Sequence, residues 1–139
     1  MKKNFHWILL GIAAGIVFYM IDKYIFGDSV RMSPEAPVPV LNPNKSYSTL
    51  GGAGNVALNL KTLGASVTCV GYVGSDNDGI ELVNLLKKQQ IDTQHIHIIN
   101  SQTTVKERFY SNGKQVLRVD KEDIIKNWSP PSILSLIHI

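Results

Sequence analysis

Cysteine is nearly missing from this chain: Cys69 is the only one in 139 residues. An internal disulfide is therefore excluded. A lone thiol in the apolar run VTCVGYV reads as a core residue rather than a nucleophile. The thiol fits a reducing compartment, so the expected location is the cytoplasm. Histidine is scarce too, at four residues, and no Cys/His cluster has metal-ligand spacing. His95 and His97 alternate along an expected strand and read as surface or core positions. Charge of one sign is not concentrated anywhere. Charged residues are 18% of the chain, the net charge is +3, and the lysines are scattered with no aromatic interleaving. Nucleic acid is therefore not an expected partner. Low hydrophobicity is absent as well: 44% of the residues are hydrophobic, which excludes a disordered chain and allows one domain with a core. No internal repeat is visible.

What is present begins with an apolar run. Lys2 and Lys3 precede FHWILLGIAAGIVFYMI. It resembles a signal peptide or a short membrane anchor, yet falls short of the roughly 20 apolar residues that a spanning helix needs. A first buried strand of a parallel sheet is the other reading, although such a strand uses only about 4–8 residues. The strand is favoured because Asp22 follows with no linker. At the other end, residues 134–139 read LSLIHI. CTG TCT CTT ATA CAC ATC, the mosaic-end adapter of transposase sequencing libraries, encodes that string. The expectation is that the frame runs into adapter, so residues 128–139 are left out of fold reasoning as a non-native tail.

Between the ends, Pro34, Pro37 and Pro39 forbid a helix interior and suit an edge strand or extended arm. Residues 42–50, NPNKSYSTL, read as a polar loop. Residues 55–63 read as a helix with Val56, Leu60 and Leu63 on one stripe, and Leu58 off it, which admits a second covered side. Residues 67–73 read as a buried strand, 75–78 as a turn and N-cap cluster, and 79–90 as a helix closed by Lys87 and Lys88. A strand at 95–99 follows. Residues 103–110 and 115–119 form an expected hairpin around Ser111-Asn112-Gly113. Strands alternating with helices predict a three-layer α/β domain. The Pro-rich arm and the hairpin fall outside that alternation and could pair as a small separate sheet.

The densest signal is GGAGNVALNLKTLGASVTCVGYVG, residues 51–74. Gly51 and Gly52 let backbone approach a ligand, a helix start leaves free N–H groups, and Asn55 can cap that helix or bind a polar ligand. The layout resembles the N-terminal signature of the ribokinase-like (PfkB) family of sugar kinases, with each fixed position met through Gly64 and Gly74. SVRMSPEAPVPV and TTVKERFYSNGKQVLRVDKED are similar to the heptose 7-phosphate kinase domain of that family. The similarity covers about residues 22–123. It implies a ribokinase-like αβα sandwich with a small β lid, truncated after its N-terminal half. Residues 1–21 are then a first strand or an anchor, and 22–127 the N-terminal part of the kinase domain with its lid strands.

The resemblance implies ATP-dependent phosphorylation of D-glycero-β-D-manno-heptose 7-phosphate at its anomeric hydroxyl. It implies ATP and Mg2+ for the full-length enzyme, a sugar phosphate as small-molecule partner, and a homodimer through the lid. Asp22 matches the first-strand Asp that binds sugar hydroxyls. Gly51 and Gly52 match the backbone that approaches the sugar, and Asn55 the sugar-binding Asn. Lys106 and Arg108 share one strand face and are expected to see the 7-phosphate, with Arg118 a weaker candidate. Each has a plainer reading: Asp22 as a turn residue, the glycines as loop, Asn55 as an N-cap, and the three cations as a solvated strand face. Two departures from the family stand out. Its Gly-Asp pair upstream of Asp22 reads Val17-Phe18 here. Its Asp-Thr-x-Gly-Ala-Gly-Asp run, which carries the base and anion hole, is absent. The expectation is a sugar-binding part, inactive alone, with no catalytic residue of its own. The rival readings are another PfkB-type sugar or nucleoside kinase, and a membrane-anchored, non-catalytic carbohydrate-binding protein.

Overall fold

The computed structural model describes residues 18–123. Most of the N-terminal apolar run and the 128–139 tail lie outside those residues. The elements in chain order are β1 (Met20–Met32), β2 (Pro39–Gly51), α1 (Gly52–Thr62), β3 (Thr68–Gly74), α2 (Asn77–Lys88), β4 (Asp92–Ile99), β5 (Thr104–Ser111) and β6 (Lys114–Lys121). They form an α/β arrangement with two sheets. One is four-stranded in the order β2-β1-β5-β6, and the other pairs β3 with β4. The β3–β4 pair is parallel and crosses over through α2, as βαβ chains do.

The Pro-rich arm and the hairpin do pair as one sheet. β1 and β2 fold back on each other around Pro34 and Pro37, and β1 then runs parallel to β5. The β5–β6 turn places Asn112 and Gly113 at φ +49° and +76°, the primed geometry that matches strand twist.

Two sequence expectations are corrected. Residues 42–50 are not a loop; they are the body of β2. Polar residues signal a loop only where a strand must bury a face, and β2 is an exposed edge whose ladder comes from β1. Pro43, which has no N–H to give, sits where the register shifts between Phe26 and Gly27. The second correction concerns α1. It starts at Gly52 rather than Asn55, and Asn55 is not its cap. Its covered face is Ala53, Gly54, Ala57 and Leu58, while Val56, Leu60 and Leu63 are exposed. Small residues win that face because the helix backbone must approach Leu50. A Cβ at Gly54 would already stand 3.2 Å from the Leu50 Cβ.

The core joins both sheets and both helices. Ile21, Leu50, Ala57, Cys69, Val73, Leu82, Leu86 and Val105 belong to one cluster. Full burial stabilises by about 1.5–3 kcal/mol for a large aliphatic side chain. Cys69 is thus a core residue, as its surroundings in sequence implied, and burial pushes its thiol up from the ordinary range.

β1 connects the two sheets. Phe18 bridges to Tyr72 of β3, and the Tyr19 N–H donates to the Tyr72 carbonyl at 3.0 Å. From Met20 onward the same strand pairs with β2 and β5 instead. Asp22 therefore lies just beyond the point where the strand leaves one sheet for the other.

Candidate functional site

Register places the site. The antiparallel β1–β2 pair sets Met20 opposite Gly51 and Asp22 opposite Thr49. The parallel β1–β5 pair sets Asp22 beside Lys106 and Tyr24 beside Arg108. β6 brings Arg118 opposite Arg108 and Asp120 opposite Lys106. Because side chains alternate along a strand, these residues share one face of the four-stranded sheet.

On that face the Arg108 Nη1 donates to Asp22 Oδ1 at 2.8 Å, and both side chains are about one-fifth exposed. The hydrogen bond it donates to Asp22 holds the Arg108 guanidinium above its usual range. The same guanidinium lies 5.3 Å from the centre of the Tyr24 ring, within cation–π reach. Beyond Tyr24, ring contacts continue to Tyr47 at 5.0 Å and Tyr110 at 6.3 Å, and Phe26 stacks on both of those tyrosines. Arg118 is paired with Asp120 at 2.9 Å. Lys106 is in none of the ion pairs among the described residues.

The glycines close the inner edge. A Cβ at Gly51 would stand 2.8 Å from Asp22 Oδ2 and 2.9 Å from the Met20 Cγ. Gly52 has φ +49°, and a Cβ there would meet the Met20 Sδ at 2.9 Å. These two positions thus require glycine, one for space and the other for backbone conformation. Gly51 is also the N-cap of α1, and no side chain caps that helix or places an acid in its first turn. Its first N–H groups stay available to a hydroxyl or anion. By contrast, α2 is capped by Asp76, which accepts from the Gly79 N–H at 2.9 Å.

Of the residues expected from sequence, Asp22, Gly51, Gly52, Lys106 and Arg108 gather at this edge. Asn55 lies exposed in the first turn of α1 and makes no hydrogen bond to them. Sequence reasoning missed Met20 and the aromatic row. Alternation alone could have found Tyr24 and Phe26, two and four residues past Asp22, and Tyr110, two past Arg108. Tyr47 was hidden because its strand read as a loop. A separate cavity of about 350 Å³, lined by Phe18, Tyr72, Gly74, Ser101, Thr103 and Asp123 among others, shares none of the site residues.

The pfkB family carbohydrate kinase profile matches residues 20–128. The chain belongs to the pfkB family of carbohydrate kinases. It is 43% identical over 125 residues to the bifunctional protein HldE of Coxiella burnetii (strain RSA 331 / Henzerling II), covering 87% of this chain and 26% of that protein. It is 47% identical over 102 residues to the bifunctional protein HldE of Helicobacter acinonychis, covering 73% of this chain and 22% of the relative. The chain thus spans about a quarter of the length of these relatives. Among solved structures it resembles phosphofructokinase-2 from Escherichia coli in complex with substrates and products, at TM-score 0.57 and 22% identity, over 73% of this chain and 32% of that one. That likeness establishes the ribokinase-like fold expected from the sequence. The edge of Asp22, Gly51 and Gly52 lies where β1 passes from the β3–β4 sheet to the four-stranded sheet.

Proposed function

We propose that this chain is the sugar-binding part of an ATP-dependent kinase that phosphorylates D-glycero-β-D-manno-heptose 7-phosphate at O1, a step toward ADP-heptose and the lipopolysaccharide core. The observation that carries the reading is the Asp22 carboxylate, packed against the Gly51 backbone beside an uncapped helix start. A carboxylate accepts hydroxyl hydrogen bonds, glycines let a ligand come close to backbone, and the helix N–H groups supply further donors. The identity to HldE proteins supports the heptose over other sugars. In this reading Asp22, Gly51, Gly52 and Asn55 bind the sugar, and the basic pair Lys106 and Arg108 lies on the face that takes its 7-phosphate end.

ATP and Mg2+ belong to the full-length kinase. The residues present here do not fit them. The Asp-Thr-x-Gly-Ala-Gly-Asp run is absent from the sequence, and no group of three His, Cys, Asp or Glu among the described residues could hold a metal ion. No transfer step is therefore assigned to residues of this chain, and the purified 139-residue chain is expected to release no ADP from ATP with the heptose present. The location goes with the reading as cytoplasmic; no helix among the described residues is long and apolar enough to cross a membrane. A homodimer through the lid is part of the same reading, supported by the exposed Val30, Met32, Val116 and Leu117 on its strands. Sedimentation tests that point.

Calorimetric titration of the chain with heptose 7-phosphate, fructose 6-phosphate, ribose and a nucleoside tests the function. Tightest binding of heptose 7-phosphate is expected. Preference for ribose, the fructose phosphate or the nucleoside would move the chain to another branch of the family, and no binding of any would refute a sugar-binding role.

A further inference from the structure

We infer that Arg108 is a positioning residue that aims the Asp22 carboxylate, and that Lys106 is left as the cation of this face that meets the substrate phosphate. The inference rests on the sugar-kinase reading above and divides its two basic residues into different jobs.

The division follows from where each charge goes. Asp22 has two carboxylate oxygens, and they face different ways. Oδ1 accepts from Arg108 at 2.8 Å. Oδ2 lies on the Gly51 side, 2.8 Å from the place a Cβ would take there. The ion pair therefore occupies one oxygen and leaves the other, Oδ2, against the Gly51 backbone, where the sugar reading needs its hydroxyl acceptor. Arg108 is itself fixed from a second side by the Tyr24 ring, and Tyr24 stands two residues after Asp22 on the same strand. A guanidinium suits this task because its planar fork can donate to a carboxylate and lie against an aromatic face at once. The Arg108 Nη1 donates to Asp22 and one face of the guanidinium lies near Tyr24, so a phosphate could reach only the remaining N–H groups, and turning the whole fork to clamp it would cost the Asp22 bond. Arg118 is half exposed and pairs with Asp120, its neighbour but one on β6. Lys106 is the register neighbour of Asp22, is partly exposed, and is in none of the ion pairs among the described residues. An unpaired ammonium on a flexible stem can follow a phosphate without disturbing the carboxylate.

The test crosses protein variants with the ligand's phosphate. The full 139-residue chain and its R108M, R108K and K106M variants are titrated calorimetrically with heptose 7-phosphate and with the same heptose lacking the phosphate. Near-ultraviolet circular dichroism verifies that each variant keeps the parent packing. R108M is expected to weaken both sugars by the same factor, on the order of tenfold, a change of about 1.4 kcal/mol. R108K should recover part of that loss for both sugars. K106M should weaken only the phosphorylated one. Loss in R108M confined to the phosphorylated sugar would make Arg108 a phosphate ligand and overturn the inference, as would no loss at all. Should the parent chain bind neither sugar, the sugar reading fails by itself, and the pair is read from urea midpoints of D22N, R108M and D22N/R108M. A double variant no less stable than the worse single one supports the coupling, and additive losses sink it.

Discussion

Gly51 offers the sharpest perturbation of the site, because its one missing carbon is what the geometry depends on. In Gly51→Ala the backbone is not strained, since φ at Gly51 is −104°. The cost comes from two contacts: the new Cβ would stand 2.9 Å from the Met20 Cγ and 2.8 Å from Asp22 Oδ2. Met20 can swing its long side chain aside at little cost. Asp22 cannot, because its other oxygen is bonded to Arg108 at 2.8 Å. Relief therefore comes from displacing the carboxylate and weakening the ion pair. Overpacking of this kind costs about 1–3 kcal/mol. If the displaced carboxylate is also the sugar acceptor, a similar loss enters binding, about tenfold for each 1.4 kcal/mol. Urea unfolding gives the stability term and calorimetry with heptose 7-phosphate gives the binding term. Adding Asp22→Ala to Gly51→Ala removes the oxygen that the Cβ meets, so the alanine should then cost much less stability than in the parent. Full stability and full affinity in Gly51→Ala would refute the argument, as would an unchanged cost in the Asp22→Ala background.

Three further outcomes follow from other parts of the fold. Asp76 caps α2 and also accepts from the Thr103 N–H at 2.9 Å and the Thr103 hydroxyl at 2.6 Å, so Asp76→Ala should cost about 1–3 kcal/mol in urea unfolding. Burial alone would raise the Asp76 carboxyl, but the bonds from Thr103 and Gly79 outweigh it and hold it below the usual carboxylate range. With the folded value depressed, this stability is complete above the unfolded value of about 3.9 and is lost as pH falls through the folded one. Acid unfolding followed by circular dichroism should accordingly be less steep below about pH 4 in Asp76→Asn than in the parent chain. Leu82, fully buried between α2 and the sheets, should lose about 2–5 kcal/mol as alanine, read from the same urea transitions. Asn112→Ala places a Cβ-bearing residue without a local polar side chain at φ +49° and should cost about 1 kcal/mol, with the β5–β6 amides exchanging faster.

Much of this arrangement was legible because local chemistry and fold agreed. The glycines of residues 51–74 announced a close backbone approach, and Asn112-Gly113 announced a hairpin whose residues do take positive φ. Ser75 to Asp78 read as a cap cluster, and Asp76 is the cap. What was not legible was decided by partners far away in sequence. NPNKSYSTL has turn composition but becomes a strand because β1 offers it a ladder on both sides of the shift at Pro43. Tyr47 joins the aromatic row only through that ladder. Val56, Leu60 and Leu63 have helical spacing, yet the helix buries its alanines and glycine, since backbone proximity to Leu50 outranks side-chain hydrophobicity. The Asp22–Arg108 pair spans 86 positions of sequence, and nothing local distinguishes Arg108 from Arg118.

If Asp22 binds the sugar as proposed, its position at the partner switch of β1 ties that group to both sheets. A residue farther along β1 is held by the four-stranded sheet alone, and one in β3 by the other sheet alone. Asp22 lies four residues past the Phe18–Tyr72 bridge and is already flanked by β2 and β5. Its neighbour Lys23, on the opposite face, is tied to Asp78 and Glu81 of α2. The strand is thus pinned to the core through its backbone upstream and through a charge pair on its far side. If the four-stranded sheet acts as the proposed lid, its rocking would pivot near this point, where displacement is smallest, while the tip beyond Phe26 would move most. A carboxylate at that pivot would keep its place against Gly51 while the aromatic row swung, which is what the proposed hydroxyl-binding role requires.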